Sequence, residues 1–279
     1  MTVEHLPLAC VPWYPARMAE ELASELAAGR IAALYRHPVK GFTPEPLMTA
    51  ELVAGAHFPD DRLYAVEVGP SGFDPDRPAH ISKQRFAVLA RIAEVAMVRS
   101  AYDDGVFAVT AVGHAPLAAD LRTEAGRGSL ADWLTEVLDL EPQEGPLKVL
   151  AAPQGHRFMD SPRGMVSVLN LASVRDLESR VGQRLDPLRF RANVHVEGWP
   201  AWIEMTPGLA GVTLGGAACT TVKPTIRCVA THVNPVTGER DIDLLRAMFD
   251  HYGHTFCGLY LEVARGGGLA VGDVAGSLQ

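Results

Sequence analysis

Cys228 lies in the segment PTIRCVATHVNPVTGERD (Pro224–Asp241), straight after Arg227 and with no second cysteine two or four positions away. Such a residue offers one soft sulfur, and a guanidinium beside a thiol favours the thiolate. Neighbours on a strand point to opposite faces, however, and a lone cysteine also serves as a small buried hydrophobe. The local residues leave both readings open. In RFRANVHVEG, Arg189, Arg191 and Asn193 share a face if the chain is extended, giving a row of donors for an anion or an exposed strand face. Ser173 opens ASVRDLESRVG, where it suits a helix cap or, through the adjoining N–H groups, a phosphate. Lys40 follows Pro38 in YRHPVKG, as a solvated lysine or one aimed at a ligand by the turn ending in Gly41. His251, His254 and Cys257 in HYGHTFC hint at a metal but fall short of the four ligands of structural zinc. RGGGLAVGD lacks the strand and helix of a nucleotide-binding fold and reads as a turn, and no GxSxG or HExxH is present.

Something must position these groups. With 279 residues, the chain can build one large or two modest domains, and 48% hydrophobic with 21% charged residues suits a globular protein. A net charge of −8 argues against a nucleic-acid partner. No run approaches about 18 consecutive apolar residues, so no membrane span is expected. The N-terminus lacks a basic leader, and a cytoplasmic location follows by default. Four cysteines, Cys10, Cys219, Cys228 and Cys257, fit a reducing compartment better than a disulfide framework, and are too few for an iron–sulfur domain besides.

A helix is expected over Arg17–Ala28, with Met18, Leu22 and Leu26 on one stripe and Gly29 as its stop. Strands are expected in RIAALYRHPVKG and at Leu47–Val53, Arg62–Val68, Ala93–Val98, Val106–Val112 and Leu147–Ala151, then at Ala192–Val196, Gly211–Leu214, Cys228–Val233 and Gly258–Val263. GSLADWLTEVLDL predicts a helix capped by Ser129, ASVRDLESRVG one started by Ser173, and Ile242–His251 a short third. The fold class is mostly β with some α, with a seam near Ala152–Ser161, where APQGHRFMDSP is polar and turn-rich.

Taken in order, LYRHPVKG, DDRLYAVEVGPSGF, NLASVRDLESRVG, RFRANVHVEG, PTIRCVATHVNPVTGERD and FCGLYLEVARGGGLAVGD resemble the MOSC family, named from the C-terminus of molybdenum cofactor sulfurases. The resemblance runs from about Arg30 to Asp273. A β-barrel domain ahead of the MOSC domain is most similar to the mitochondrial amidoxime reducing component and its bacterial relatives. It implies an N-terminal helical extension (1–29), an N-terminal β-barrel-like domain (30–152) and a MOSC domain (153–279).

The resemblance also implies a molybdenum cofactor, with Cys228 as thiolate ligand of the metal and catalytic centre, Arg227 favouring its deprotonated form, and Lys40, Arg62, Ser173, Arg191 and Asn193 on the pterin cofactor. The implied reaction is reductive removal of oxygen from N-hydroxylated compounds such as amidoximes and hydroxylamines. Neither a fused iron–sulfur domain nor a pyridoxal-phosphate domain is seen, so a separate electron-transfer protein and reductase are expected. The alternative is a non-catalytic carrier of the cofactor or a sulfur-handling binding module. Departures from the family pattern are Gly41 in place of a serine, Ile226 in place of a serine, Lys83 where an arginine is commoner, Cys257 for a phenylalanine, and GWPAWIEMTPG, where Glu204 replaces an acidic pair.

Overall fold

The computed structural model describes residues 29–138, 140, 145–161, 165–206 and 209–277. The helix expected over Arg17–Ala28 lies outside them, as does Cys10. The first half contains β1 (Gly29–Arg36), β2 (Glu45–Leu47), β3 (Thr49–Leu52), β4 (Tyr64–Val68), β5 (Arg99–Asp103), β6 (Val106–Thr110), β7 (Leu117–Asp120), α1 (Glu124–Val137) and β8 (Leu147–Ala151). The second contains β9 (Val166–Asn170), α2 (Leu171–Val181), β10 (Val194–Glu197), β11 (Gly211–Leu214), β12 (Ala217–Ile226), α3 (Leu244–Tyr252), β13 (Phe256–Arg265), β14 (Gly267–Ala270) and β15 (Val274–Ser277). The fold is mostly β with three helices among the described residues, as the sequence predicts.

Seven strands close into a barrel in the order β10-β9-β13-β12-β11-β15-β1, sealed by antiparallel pairing of β1 with β10. Thus β1, near the start of the chain, is a stave of the barrel built by the second half. Val166, Val168, Val194, Val196, Leu259 and Leu261 fill the interior with Ile31 from β1. The one parallel pair, β9 with β10, requires a crossover, and α2 supplies it. A second core gathers Phe42, Val66, Phe107, Leu121, Leu130 and Leu134 between α1 and the sheets β4–β8 and β5–β6–β7. In β6 the side chains alternate, Phe107 and Val109 buried and Val106, Ala108 and Thr110 exposed, which is the pattern of a sheet with one wet face.

Five local expectations are corrected. RGGGLAVGD is not a turn throughout, since Gly267–Ala270 forms β14 and pairs with β3. Ala93–Met97 is a 3₁₀ helix, not a strand, because Val95 and Ala96 both turn into the core. β12 ends at Ile226, and Val229–His232 forms a 3₁₀ turn where a strand is expected over Cys228–Val233. The β-branched composition misleads there: Thr231 turns its hydroxyl (2.9 Å) and amide (3.0 Å) back onto the Cys228 carbonyl. Helix α1 begins earlier, capped by Thr123, and Ser129 is an interior residue bonded to the Ala125 carbonyl. Gly126 and Gly128 hide its first turns from a propensity reading. Likewise Asn170, not Ser173, caps α2, its side chain accepting the Ala172 amide at 3.0 Å.

Candidate functional site

A cavity of about 270 Å³ opens where the end of β12 meets the turn after β1 and the segment between β8 and β9. Among the described residues, seven cationic side chains line it, from Lys40, Arg62, Lys83, Arg189, Arg191, Lys223 and Arg227, against the single carboxylate of Asp160. In a chain of net charge −8 this concentration is local and deliberate, and it focuses positive potential on whatever enters.

Each group is held by its backbone. Pro38 ends β1, a bridge from Val39 to Tyr64 and a 2.8 Å bond from the Lys40 amide to the Tyr64 carbonyl fix the turn, and Lys40 is 5% exposed. Its ammonium donates to the Phe158 carbonyl at 2.9 Å and pairs with Asp160. Arg62, at φ +50°, pairs with the fully buried Asp61 and donates to the Arg191 carbonyl at 3.1 Å. The row of Arg189, Arg191 and Asn193 on one extended face does not form. Residues 187–190 make a 3₁₀ turn and Arg191 adopts φ +52°, so each points its own way. Arg189 binds Asp241 at 2.7 Å and the His232 carbonyl at 3.0 Å, while Arg191 enters the cavity wall.

Arg227 shows why an arginine precedes the cysteine. It reaches back into the barrel end, donating to the Cys257 carbonyl (2.8 Å) and the Phe190 carbonyl (2.6 Å), and lies over the Phe190 ring. It therefore clamps β13 and the 187–190 turn together. Cys228, half-buried, stands at the head of the following turn with its sulfur on the cavity wall. The next stretch folds as its Pro-Val-Thr-Gly turn predicts, the Gly238 amide bonding the Asn234 carbonyl at 2.8 Å.

Five of the residues singled out by sequence thus converge: Lys40, Arg62, Arg191, Arg227 and Cys228. Two do not line the cavity. Ser173 is fully buried in α2, donating to Glu204 Oε1 at 2.7 Å and accepting the Trp202 amide at 2.8 Å. Glu204 also takes Asn170 Nδ2 at 2.8 Å, and burial raises its pKa. Asn193 is fully buried and works from behind the wall, accepting the Ser167 amide (3.1 Å) and hydroxyl (2.8 Å) and donating to the Tyr35 carbonyl. It ties β9 to β1 and orients Ser167, which does line the cavity. The HYGHTFC residues form no metal cluster among the described residues: His254 stacks on Tyr252, and Cys257 is buried in the core with its thiol pushed up to about 12 by burial.

Sequence reading passed over Asp160, Thr225, Tyr260 and Ser161, all on the wall. Asp160 and Ser161 sit in the stretch read as a seam, where polarity looks like ordinary loop chemistry, and Thr225 and Tyr260 are strand-type residues that pass unnoticed within the motifs around them. The electrostatics follow from the crowding. Burial, then Arg62, pushes Arg191 down to about 9. Burial also lowers Lys40 against the pull of Asp160. Several buried donors have no partner among the described residues: Arg191 Nη2, Arg227 Nη2, Thr225 Oγ1 and Ser161 Oγ. Buried cations and orphaned donors cost free energy unless a ligand satisfies them. The wall therefore fits an anion rich in acceptors, and the Cys228 sulfur beside it fits a soft metal.

Comparison with known proteins agrees with this layout. The family described as MOSC N-terminal beta barrel domain matches residues 28–140, and that described as MOSC domain matches residues 155–275. Sequence comparison with curated proteins gives no match. Among solved structures, the chain is similar to the YUAD protein from Bacillus subtilis, at 14% identity and a TM-score of 0.44 over 91% of this chain and 99% of that one. It is also similar to YiiM from Geobacillus stearothermophilus, at 18% identity and a TM-score of 0.34 over 42% of this chain and 55% of that one. Between them the two family matches span nearly all the described residues, and the chain belongs to the MOSC family, with a MOSC N-terminal beta barrel domain ahead of its MOSC domain.

Proposed function

We propose that this cavity binds the molybdenum cofactor, with Cys228 as thiolate ligand of the metal, and that the protein reduces N-hydroxylated compounds with electrons delivered by a separate carrier protein and its reductase. One observation carries the reading: among the described residues, Cys228 shares a wall with seven cationic side chains, and four buried donors on that wall, two of them on Arg191 and Arg227, lack partners. When bound, the cofactor supplies oxygen-atom transfer coupled to a two-electron change. The chain supplies the rest.

Lys40, Arg62 and Arg191 balance the anionic charge of the pterin phosphate, and Arg191, Arg227 and Thr225 offer donors to its heteroatoms. Ser173 and Asn193 act indirectly, by fixing α2 and the Ser167 strand. Lys83 stays protonated, because Asp160 and Cys228 outweigh its burial and raise its pKa. Tyr260 also keeps its proton, being raised by burial and then by Asp160. Both therefore line the cavity as proton holders rather than bases, Lys83 beside Cys228. Ile226 is 63% exposed at the cavity wall, so an apolar side chain meets substrate where the family has a serine. No helix among the described residues is long and apolar enough to cross a membrane, and a cytoplasmic site of action suits the proposal.

Expression in a host that makes molybdopterin tests this directly, by measuring molybdenum and pterin bound to wild type and Cys228→Ala. The substitution should remove molybdenum. Equal metal in both proteins sinks the ligand assignment, and absence of pterin from wild type sinks the cofactor reading. Benzamidoxime turnover with a chemical donor then separates an enzyme from a carrier: full metal content without turnover makes the protein a carrier.

A further inference from the structure

Asp160 is an anomaly in a cavity built for anions. It is the one carboxylate that lines it among the described residues, in the segment between β8 and β9. Its Oδ1 pairs with Lys40 and its Oδ2 lies 3.6 Å from Lys83 Nζ. The protein crowded around the carboxylate would raise its pKa although the side chain keeps an open side, yet Lys40 and Lys83 outweigh this and hold it well below the usual carboxylate range. It is therefore charged at any physiological pH, and a second anion on the same lysines would be repelled by it.

The members of this cluster differ in freedom. Lys40 is 7% exposed at the side chain and anchored to the Phe158 carbonyl, whereas the Asp160 side chain is 43% exposed. The carboxylate has open solvent on one side; the ammonium has almost none. An aspartate that leaves the site gives up one strong pair and regains water, so departure is inexpensive when another anion takes its place.

We propose that Asp160 is an internal counter-ion, seated between Lys40 and Lys83 until a phosphate-type anion displaces it. Its role is to keep the cations compensated in the empty protein and to set a threshold for entry. A singly charged ion such as chloride gains too little from the lysines to expel the carboxylate, whereas a doubly charged phosphate group exchanges one charge for two. The proposal depends on the cofactor reading only for the identity of the natural ligand.

The test uses the full chain prepared from a host unable to make molybdopterin, with inorganic phosphate as probe. Titration calorimetry at low ionic strength should show Asp160→Asn binding phosphate about tenfold to hundredfold more tightly than wild type, because the competing charge is gone. Equal or weaker binding by the variant overturns the proposal, and so does the absence of binding in both proteins. A second measurement needs no substitution: in wild type, the Asp160 carboxylate ¹³C resonance should move as phosphate is added, together with those of Lys40 and Lys83. A carboxylate resonance that stays fixed while the lysines respond also overturns it. Failure here leaves Cys228 ligation untouched, while absence of pterin from the co-expressed protein would leave a positive result here standing.

Discussion

Replacing Gly41 by alanine should cost far more than the same change at Gly55, although both glycines have positive φ. Gly55 has φ +70° and nothing within 4 Å of an added Cβ, so it reports conformational strain alone, about 1–2 kcal/mol. Gly41 has φ +95°, and a Cβ there would lie 2.6 Å from the Ala87 carbonyl oxygen and 3.0 Å from Val88 Cα. Both are backbone atoms and cannot rotate aside. Moving them adds an overpacking cost of about 1–3 kcal/mol, for a total near 2–5 kcal/mol. The loss of unfolded-state entropy is common to both variants and cancels in their comparison. Urea denaturation of wild type, Gly41→Ala and Gly55→Ala, analysed with equal slopes, reads the difference directly. Gly41→Ser should behave as Gly41→Ala does, and because Val88 and Leu89 line the cavity, the shift should also weaken phosphate binding. If Gly41→Ala is no less stable than Gly55→Ala, the steric reasoning is refuted. The departure from the family's serine would then have some cause other than the backbone.

Ser173→Ala should lower stability by about 1–3 kcal/mol in chemical denaturation, because it strands a buried Glu204 oxygen and the Trp202 amide, and should leave bound pterin unchanged. Loss of pterin at wild-type stability would instead put the hydroxyl on the cofactor. Two buried histidines predict acid sensitivity. Burial, with Arg62 and Arg191, lowers His37 to about 3, and burial with Arg227 lowers His195 to about 4. A base depressed in the fold binds fewer protons there than when unfolded, so its contribution is present above pH 6.5 and is lost as pH falls toward the folded value. At pH 5 each should cost about 2 kcal/mol, visible as a falling urea midpoint, and His195→Asn should flatten that fall. A midpoint equally steep in the variant would show that the neutral imidazole is not its source.

Much of the fold was legible because its rules are local. Leu147–Ala151 and Gly211–Leu214 match their strands end to end, and α3 falls within two residues of its expected bounds, since apolar runs and turn residues mark them. Two of the errors share a cause. Residues 93–98 and 228–233 have strand-like composition, but bonds three residues apart, such as Val98 to Val95 and Thr231 to Cys228, curl them into 3₁₀ turns. The candidate site divides similarly. Lys40 is marked by its Pro-x-Lys-Gly turn, whereas Asp160 belongs to no motif, and Thr225 and Tyr260 lie inside motifs without being marked by them; all three enter the cavity through the packing of β12, β13 and the 152–161 segment.

What the sequence by itself determined is the order of the motifs, and through it the family. A linear pattern suffices there because each motif is a short stretch whose turn chemistry is internal to it. What only the tertiary structure decided is which of those residues face the same space. Barrel closure sets β1 beside β10, and that long-range pairing brings Lys40 and Arg62 to Cys228, across more than half the chain. It also turns Ser173 and Asn193 into the wall's supports, because their polar atoms find partners in strands and turns far from them in sequence. No spacing records this: side-chain direction at a barrel end depends on register, and register is fixed by the pairing of strands, not by the residues of any one strand.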